Sequence, residues 1–131
     1  MRTIKQILTE SKTIAIVGLS SDPSRPSHGI AKALQQYGYR IIPVNPKETE
    51  VHGEKAYASL KEIPIAVDIV NVFRRPVLTP AIAKEAIEIG AKALWLQSGI
   101  ENEEAEQIAT SAGLDFISDR CIMVEHRKLG L

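Results

Sequence analysis

Short apolar runs alternate with amphipathic segments along the whole chain. Continuously apolar runs predict fully buried strands, and apolar positions spaced by three or four residues predict helices. We therefore expect strands at residues 13–17, 39–46, 66–73, 91–97 and 114–118. We expect helices at residues 3–10, 28–37, 79–90, 102–113 and 121–129.

Several of the predicted helices carry residues typical of helix ends. Ser27, Thr79 and Asn102 are predicted N-caps, because their side-chain oxygens can accept hydrogen bonds from the free N–H groups of a first turn. Gly38 and Gly90 are predicted to end their helices, because glycine tolerates the left-handed backbone found there.

Apolar strands that alternate with helices predict a parallel sheet covered on both faces. The fold class we expect is α/β, a three-layer, Rossmann-like, doubly wound sheet of five parallel strands. Right-handed crossovers favour the strand order 3-2-1-4-5, in which the first and fourth strands are neighbours. A chain of 131 residues is the size of one domain, so we expect a single domain over residues 1–131.

Composition excludes several classes of protein. Sixteen basic and sixteen acidic residues give a net charge of zero, which argues against a nucleic-acid partner. No apolar run approaches the roughly 18 residues of a membrane span, so we expect no membrane association. The single cysteine, Cys121, allows no internal disulfide, and a cytoplasmic location is expected.

The residues that follow each strand are the candidate site, because doubly wound sheets bind ligands outside the carboxyl ends of their strands. The candidates are Gly18, Ser20, Arg25, Ser27, Val44, Asn45, Pro46, Lys47, Phe73, Arg74, Gln97, Ser98, Gly99 and Cys121. Gly18 permits close approach of a ligand, and the helix that follows it offers N–H groups to phosphate. Arg25, Lys47 and Arg74 add positive charge, so the sequence predicts a ligand with several phosphates.

Three other classes of nucleotide-binding or phosphorylated domain have this fold. A usual dinucleotide enzyme has Asp or Glu at the end of its second strand, where this chain has Asn45-Pro46-Lys47. NAD(P) stays open, because Lys47 could meet a 2′-phosphate. A phospho-receiver domain needs an aspartate at the end of the third strand, whereas Asp68 stands at its start. A flavin domain has no residue that specifically favours it.

Five motifs occur at the predicted strand ends: G-L-S-x-x-P-x-R-P-S, G-Y-x-I-x-P-V-N-P-K, D-I-V-N-V-F-R, L-Q-S-G and D-R-C-x-x-x-E-H-x-x-L. Together they resemble the small, single-domain CoA-binding proteins, over roughly residues 5–130. That family is similar to the CoA-binding domain of the succinyl-CoA synthetase alpha subunit and of related acyl-CoA ligases.

The resemblance implies coenzyme A as the cofactor and gives each candidate a role. It implies that the CoA phosphates lie in a cradle formed by Gly18, Ser20, Arg25 and Ser27. It implies that the adenosine is bordered by Val44, Asn45, Pro46 and Lys47. It implies a groove lined by Phe73 and Arg74, with the pantetheine arm meeting Gln97, Ser98 and Gly99.

The resemblance implies a binder of CoA or acyl-CoA that acts as a carrier, sensor or regulator, with no catalytic residue and no metal. The synthetase subunit has a phosphorylated histidine in a second domain, and His28, His52 and His126 offer no equivalent. Two alternatives stay open. One is a small enzyme or ligase subunit that acts on a CoA thioester with a partner, and the other is an NAD(P)-binding redox sensor.

Two further expectations concern contacts. The edges of the parallel sheet leave room for a homodimer, and an acyl-CoA enzyme is the expected alternative partner. Cys121 follows Arg120 where the last strand ends and a helix begins. A mixed disulfide between Cys121 and the thiol of CoA is therefore a hypothesis.

Overall fold

The continuously apolar segments form parallel strands in the computed structural model, which describes residues 1–131. In chain order the strands are β1 (Thr13–Val17), β2 (Arg40–Val44), β3 (Glu50–Val51), β4 (Glu54–Lys55), β5 (Ile69–Val72), β6 (Ala93–Leu96) and β7 (Asp115–Ile117). Five of them form one parallel sheet in the order β2-β1-β5-β6-β7, and β3 pairs with β4 as a small antiparallel hairpin. Almost every residue of the five sheet strands is buried, as their apolar sequences predict.

Helices cover both faces of the sheet. They are α1 (Ile4–Glu10), α2 (Pro26–Gln36), α3 (Thr79–Glu88), α4 (Glu103–Ser111) and α5 (Ile122–Lys128). One face packs against α1, α2 and α5 through residues such as Ile7, Leu34 and Ile122. The other face packs against α3 and α4 through residues such as Ala83 and Ala109. The predicted three-layer, Rossmann-like α/β fold is confirmed, and none of its helices has the length and hydropathy needed to cross a bilayer.

The neighbour of β1 differs from the predicted order. The third long strand, β5, pairs with β1, whereas the order 3-2-1-4-5 put it beyond β2. Counted over the long strands alone, the order is 2-1-3-4-5. The outer edge of β2 is already occupied, because Tyr57 bonds there through its N–H to Pro43 O at 3.0 Å and through its O to Asn45 N at 2.9 Å. The chain direction therefore reverses between β1 and β5, which makes this pair the switch point of the sheet.

The helix ends confirm some predicted signals and correct others. Asn102 is an N-cap whose side chain accepts from Ala105 N, as predicted. Gly38 and Gly90 follow the last turns of α2 and α3 with φ of 102° and 75°, also as predicted. Thr79 is not a cap but the first residue of α3, and its hydroxyl donates to Pro76 O.

Ser27 is not an N-cap either. Helix α2 begins at Pro26, because proline suits the first helical position, and Arg25 is the cap residue without a side-chain cap bond. The side chain of Ser27 is instead available to the loop after β1.

His126 lies in the layer formed by α1, α2 and α5, near the amino ends of the strands. Its ring stacks on Tyr37 with centroids 4.0 Å apart and meets the edge of Tyr39 at 5.8 Å. Burial lowers the pKa of His126 below its usual value. The unfolded chain therefore binds a proton at this position more readily than the folded protein does.

We predict that this histidine makes stability fall as the solution is acidified. Because the unfolded state takes up the proton first, the free energy of unfolding decreases as the pH drops through about 6.5. Urea unfolding at pH about 7.5 and about 5.5 measures the change, and the variant His126→Phe is expected to lose less stability over this range. His52→Gln is the control and should behave like the wild type; equal losses in wild type and His126→Phe would contradict the assignment.

Candidate functional site

The switch point brings the loops after β1 and β5 into direct contact at Gly18. Gly18 N donates to Val44 O at 2.8 Å, and Phe73 N donates to Val17 O at 2.8 Å. Gly18 has a φ of +90°, and an added Cβ would overlap the carbonyl oxygen of Phe73 and lie 3.3 Å from Arg74 Nε. Glycine is therefore required here both for its backbone angle and for its lack of a side chain.

A cavity of about 350 Å³ opens beside this contact, at the carboxyl ends of β1, β2 and β5. It is lined by Gly18, Ser20, Arg25, Pro26, Ser27, Asn45, Lys47, Glu48, Phe73 and Arg74. Eight of the predicted site residues are thus brought together around one space. We refer to this space as the cationic cavity.

Three cations face the cationic cavity without a carboxylate partner. Arg25, Lys47 and Arg74 line it, and the ion pairs of the structure all involve other residues. Helix α2 begins at the same place with Pro26, which has no N–H, and its amino end adds the positive end of the helix dipole. This arrangement attracts an anion more strongly than a net charge of zero for the chain would suggest.

Glu48 is one of two lining residues, with Pro26, that were not predicted from the sequence. Its Oε2 accepts from Ser21 N at 2.8 Å and from Ser21 Oγ at 3.0 Å, which ties the loop after β1 to the loop after β2. Its carboxylate forms no ion pair, although it adds one negative charge to the lining of the cavity. Its position directly after Lys47 was the signal that could have identified it.

The loop between β1 and α2 is held in shape by its own short polar side chains. Ser27 is buried, and its Oγ accepts from Ser20 N at 3.1 Å. His28 Nδ1 donates to Ser20 O at 3.1 Å, so the start of α2 fixes both the N–H and the C=O of Ser20. Asp22 accepts from the backbone N and the hydroxyl of Ser24, and these hydrogen bonds lower the pKa of Asp22. The loop is therefore ordered before any ligand arrives.

Asn45 explains why this chain has an amide where dinucleotide enzymes have a carboxylate. The side chain is buried, and its Nδ2 donates to Leu19 O at 3.1 Å. Its Oδ1 accepts from Lys47 N at 3.0 Å. A carboxylate could accept from Lys47 N but could not donate to Leu19 O. Asn45 therefore joins the loop after β1 to Lys47 and leaves no carboxylate for a ribose.

A second, more apolar cavity of about 250 Å³ adjoins the first, with Arg74 in both linings. The predicted residues Val44 and Pro46 line it rather than the cationic cavity. Its other lining residues are Val17, Ala58, Ser59, Leu60, Arg74, Leu78, Ala81, Ile82 and Glu85. Most of these were not predicted, because they come from α3, from the 3₁₀ helices Leu60–Glu62 and Pro76–Leu78 and from the residues just before the first of these, rather than from strand ends. We refer to this space as the apolar cavity.

The remaining predicted residues form a separate cluster at the ends of β6 and β7. Gln97 is buried, and its Oε1 accepts from Ile122 N at 3.0 Å. Gly99 N donates to Asp119 Oδ1 at 2.7 Å. Ser98, which lies between Gln97 and Gly99 in the sequence, is exposed. Cys121 is the N-cap residue of α5 and is partly exposed. These four residues lie at the same edge of the sheet, but they line neither cavity.

The residues that could make Cys121 a catalytic nucleophile are engaged elsewhere. Glu125 pairs with Arg120 at 3.9 Å and with Lys128 at 3.4 Å. His126 is stacked on Tyr37, as described above. The structure therefore offers Cys121 no free acid or base from its own helix. Asp68 also has a structural task, since its Oδ2 accepts from Lys12 N and Thr13 N at the amino edge of the sheet.

We predict that replacing Gly18 lowers the free energy of unfolding more than replacing another glycine with a positive φ, because of the close approach to Phe73. Gly113→Ala is the matched control, because Gly113 has a similar φ of +87° but open space around its Cβ position. The control should lose about 1–2 kcal/mol of unfolding free energy through backbone strain alone. Gly18→Ala should lose about 1–3 kcal/mol more, because the Phe73 carbonyl must move. Denaturant unfolding measures both variants, and equal losses would contradict the close approach.

The chain is similar to several known proteins. The family model described as CoA binding domain matches residues 12–127. The chain is 52% identical over 123 residues to the Bacillus subtilis protein YneT, across 94% of this chain and 91% of that protein. It is 32% identical over 120 residues to the alpha subunit of an ADP-forming acetate–CoA ligase II from Pyrococcus furiosus, but that match spans 83% of this chain and only 26% of the ligase subunit. A solved structure of a hypothetical protein from Pyrococcus horikoshii superposes with a TM-score of 0.95 at 42% identity, over 98% of this chain and 90% of that one. This chain belongs to the family of CoA-binding domains.

Proposed function

We propose that this chain binds coenzyme A or an acyl-CoA at the carboxyl edge of its sheet and acts as a carrier, sensor or regulator without catalysing a reaction. The observation that carries the proposal is the set of three cations, Arg25, Lys47 and Arg74, that line one cavity without ion-pair partners. CoA has a pyrophosphate and a 3′-phosphate, and it therefore matches such a concentration of charge.

The two adjoining cavities suit the two ends of the nucleotide. The phosphates would occupy the cationic cavity, with Ser20 and the first turn of α2 as further donors. The adenine would occupy the apolar cavity beside Val44, Pro46 and Leu60. Arg74 lines both cavities, so it would lie between the adenine and the phosphates of the ligand.

The pantetheine arm would leave the cationic cavity past Phe73 and run along the sheet edge. In this direction lie the loops after β6 and β7, which carry Gln97, Ser98, Gly99 and Cys121. Gly99 and Asp119 are joined by a hydrogen bond, so the two loops form one continuous border. We propose that this border meets the arm, with Cys121 nearest to the thiol.

We predict micromolar or tighter binding of CoA, about −8 kcal/mol, by calorimetric titration of ligand-stripped protein. Arg74→Ala should weaken CoA binding by about 10- to 100-fold, because each lost hydrogen bond to a charged group is worth about 1.5–3 kcal/mol. Arg75→Ala is the matched control, since Arg75 is exposed, neighbours Arg74 in sequence and lines neither cavity.

The same titration distinguishes CoA from the alternative ligands. NAD, NADP and ATP are expected to bind far more weakly than CoA, and acetyl-CoA similarly to CoA. Tight binding of NADP without binding of CoA would replace the proposal with a redox-sensing function. Equal loss of affinity in Arg74→Ala and Arg75→Ala would mean that the charge acts from outside the cavity.

We predict that Cys121 exchanges with CoA disulfide. The thiolate of Cys121 attacks one sulfur of the CoA disulfide, the S–S bond of that disulfide breaks as the new one forms, and one CoA leaves as the thiolate while the protein keeps the other in a mixed disulfide. Intact-mass spectrometry should show an adduct of one CoA that reductant removes. The variant Cys121→Ser is the control and should show none; a wild-type protein that stays unmodified would contradict the placement of the thiol.

Participation in a ligase is the second candidate function. The chain is similar to the alpha subunit of an ADP-forming acetate–CoA ligase, of which it spans about a quarter. Co-purification from cell extract with a stoichiometric protein partner, together with CoA-dependent ligase activity of that complex, would favour this function. Binding of CoA by the isolated chain is expected under both candidates.

A further inference from the structure

Asn71 is a buried amide without a hydrogen-bond partner. It lies in β5 with no exposed surface, and neither its Nδ2 nor its Oδ1 has a partner in the structure. Burying polar atoms without partners is costly, and native proteins leave very few of them. The residue therefore needs an explanation that the packing of the sheet does not give.

The position of Asn71 connects it with the candidate site. Its Cα is paired with those of Ile16 in β1 and Trp95 in β6. Side chains alternate along a strand, and Val70 and Val72 face α3 and α4. Asn71 therefore faces the α2 and α5 side, as does Phe73 two residues later.

Phe73 is the next residue after Asn71 on the same face of the chain, and it lies toward the ligand site. The Phe73 side chain is only partly buried, lines the cationic cavity, and packs at the margin of the cluster formed with α2 and α5. Asn71 therefore lies two residues before a lining residue of the cationic cavity, on the same face of the sheet. The proposed path of the pantetheine arm passes this same residue, Phe73.

The chemistry of the orphaned group indicates which part of a ligand it fits. A carboxamide donates through Nδ2 and accepts through Oδ1, and both atoms lack partners here. A phosphate at neutral pH mainly accepts, so it would leave Oδ1 unpaired. A secondary amide of the pantetheine arm both donates and accepts, and it would pair both atoms.

We propose that Asn71 is a ligand-binding residue for the amides of the pantetheine arm, and that the ring of Phe73 moves aside to uncover it. This inference rests on the proposed function and adds a residue that recognises the non-nucleotide part of CoA. The cost of leaving the amide unpaired in the free protein is then recovered when the arm binds.

The test compares CoA with adenosine 3′,5′-bisphosphate, which has phosphates and the base but no arm. Asn71→Val should weaken CoA binding about tenfold by calorimetry and leave the affinity for the bisphosphate unchanged. The free energy of unfolding of this variant should be equal to or higher than that of the wild type, because two unpartnered polar atoms are removed. Asn71→Ala is the second variant in case valine does not fit, with the same ligand pattern expected.

Ser11→Ala is the matched control. Ser11 Oγ is also buried without a partner, but Ser11 lies at the amino edge of the sheet, away from the cationic cavity. This variant should keep both affinities. Trp95, the only tryptophan of the chain, reports on the wild type, and its fluorescence should change with CoA but not with the bisphosphate.

The outcomes separate this inference from the proposed function. If wild type binds both ligands and Asn71→Val binds them equally well, Asn71 holds an internal water only and the inference is overturned. If Asn71→Val loses both affinities to the same extent, the residue supports the cradle rather than the arm, which also overturns it. If wild type binds neither ligand, the proposed function itself fails.

Discussion

The site depends on one close approach, between the backbone of Gly18 and the carbonyl group of Phe73. The approach is possible because β5 pairs directly with β1, and because residue 18 has no side chain. It brings the loop after β1, the start of α2 and the side chain of Arg74 around one cavity. A strand inserted between β1 and β5, or a side chain at position 18, would separate these groups. The pairing of β1 with β5 therefore determines both the topology of the sheet and the position of the site.

The polar side chains around this contact have distinct tasks. One group forms hydrogen bonds that hold the loops together, and it consists of Asn45, Glu48 and Ser27. Arg25, Lys47 and Arg74 have no acidic partner and remain available to an anion. This division explains how a chain with a net charge of zero can present a positive surface at one place. It also gives a physical basis for the family's association with CoA, whose charge is concentrated in its phosphates.

Sequence patterns predicted the architecture and most of the residues that line the cationic cavity, but not which strands pair as neighbours. Apolar runs identify strands well, whereas the pairing of β5 with β1 depends on Tyr57 occupying the edge of β2, a contact that no periodicity reveals. Ser27 has the residue type of a cap, yet Pro26 starts the helix and frees its hydroxyl for Ser20 N. The apolar cavity was missed because its walls come from α3 and a 3₁₀ helix, far from the strand ends in sequence. Asn71 looked like any strand residue, because only burial shows that its amide lacks a partner.

The most direct test of the central claim, that CoA binds at the carboxyl edge, is to map amide chemical-shift changes by NMR while CoA is added. A chain of 14.4 kDa is well suited to this measurement. Binding at the switch point predicts that the largest changes fall at Gly18–His28, Asn45–Glu48 and Phe73–Arg75. Amides at the opposite edge, around Gly38 and Gly113, should barely move. Absence of shifts, or shifts concentrated at the amino edge, would contradict the account.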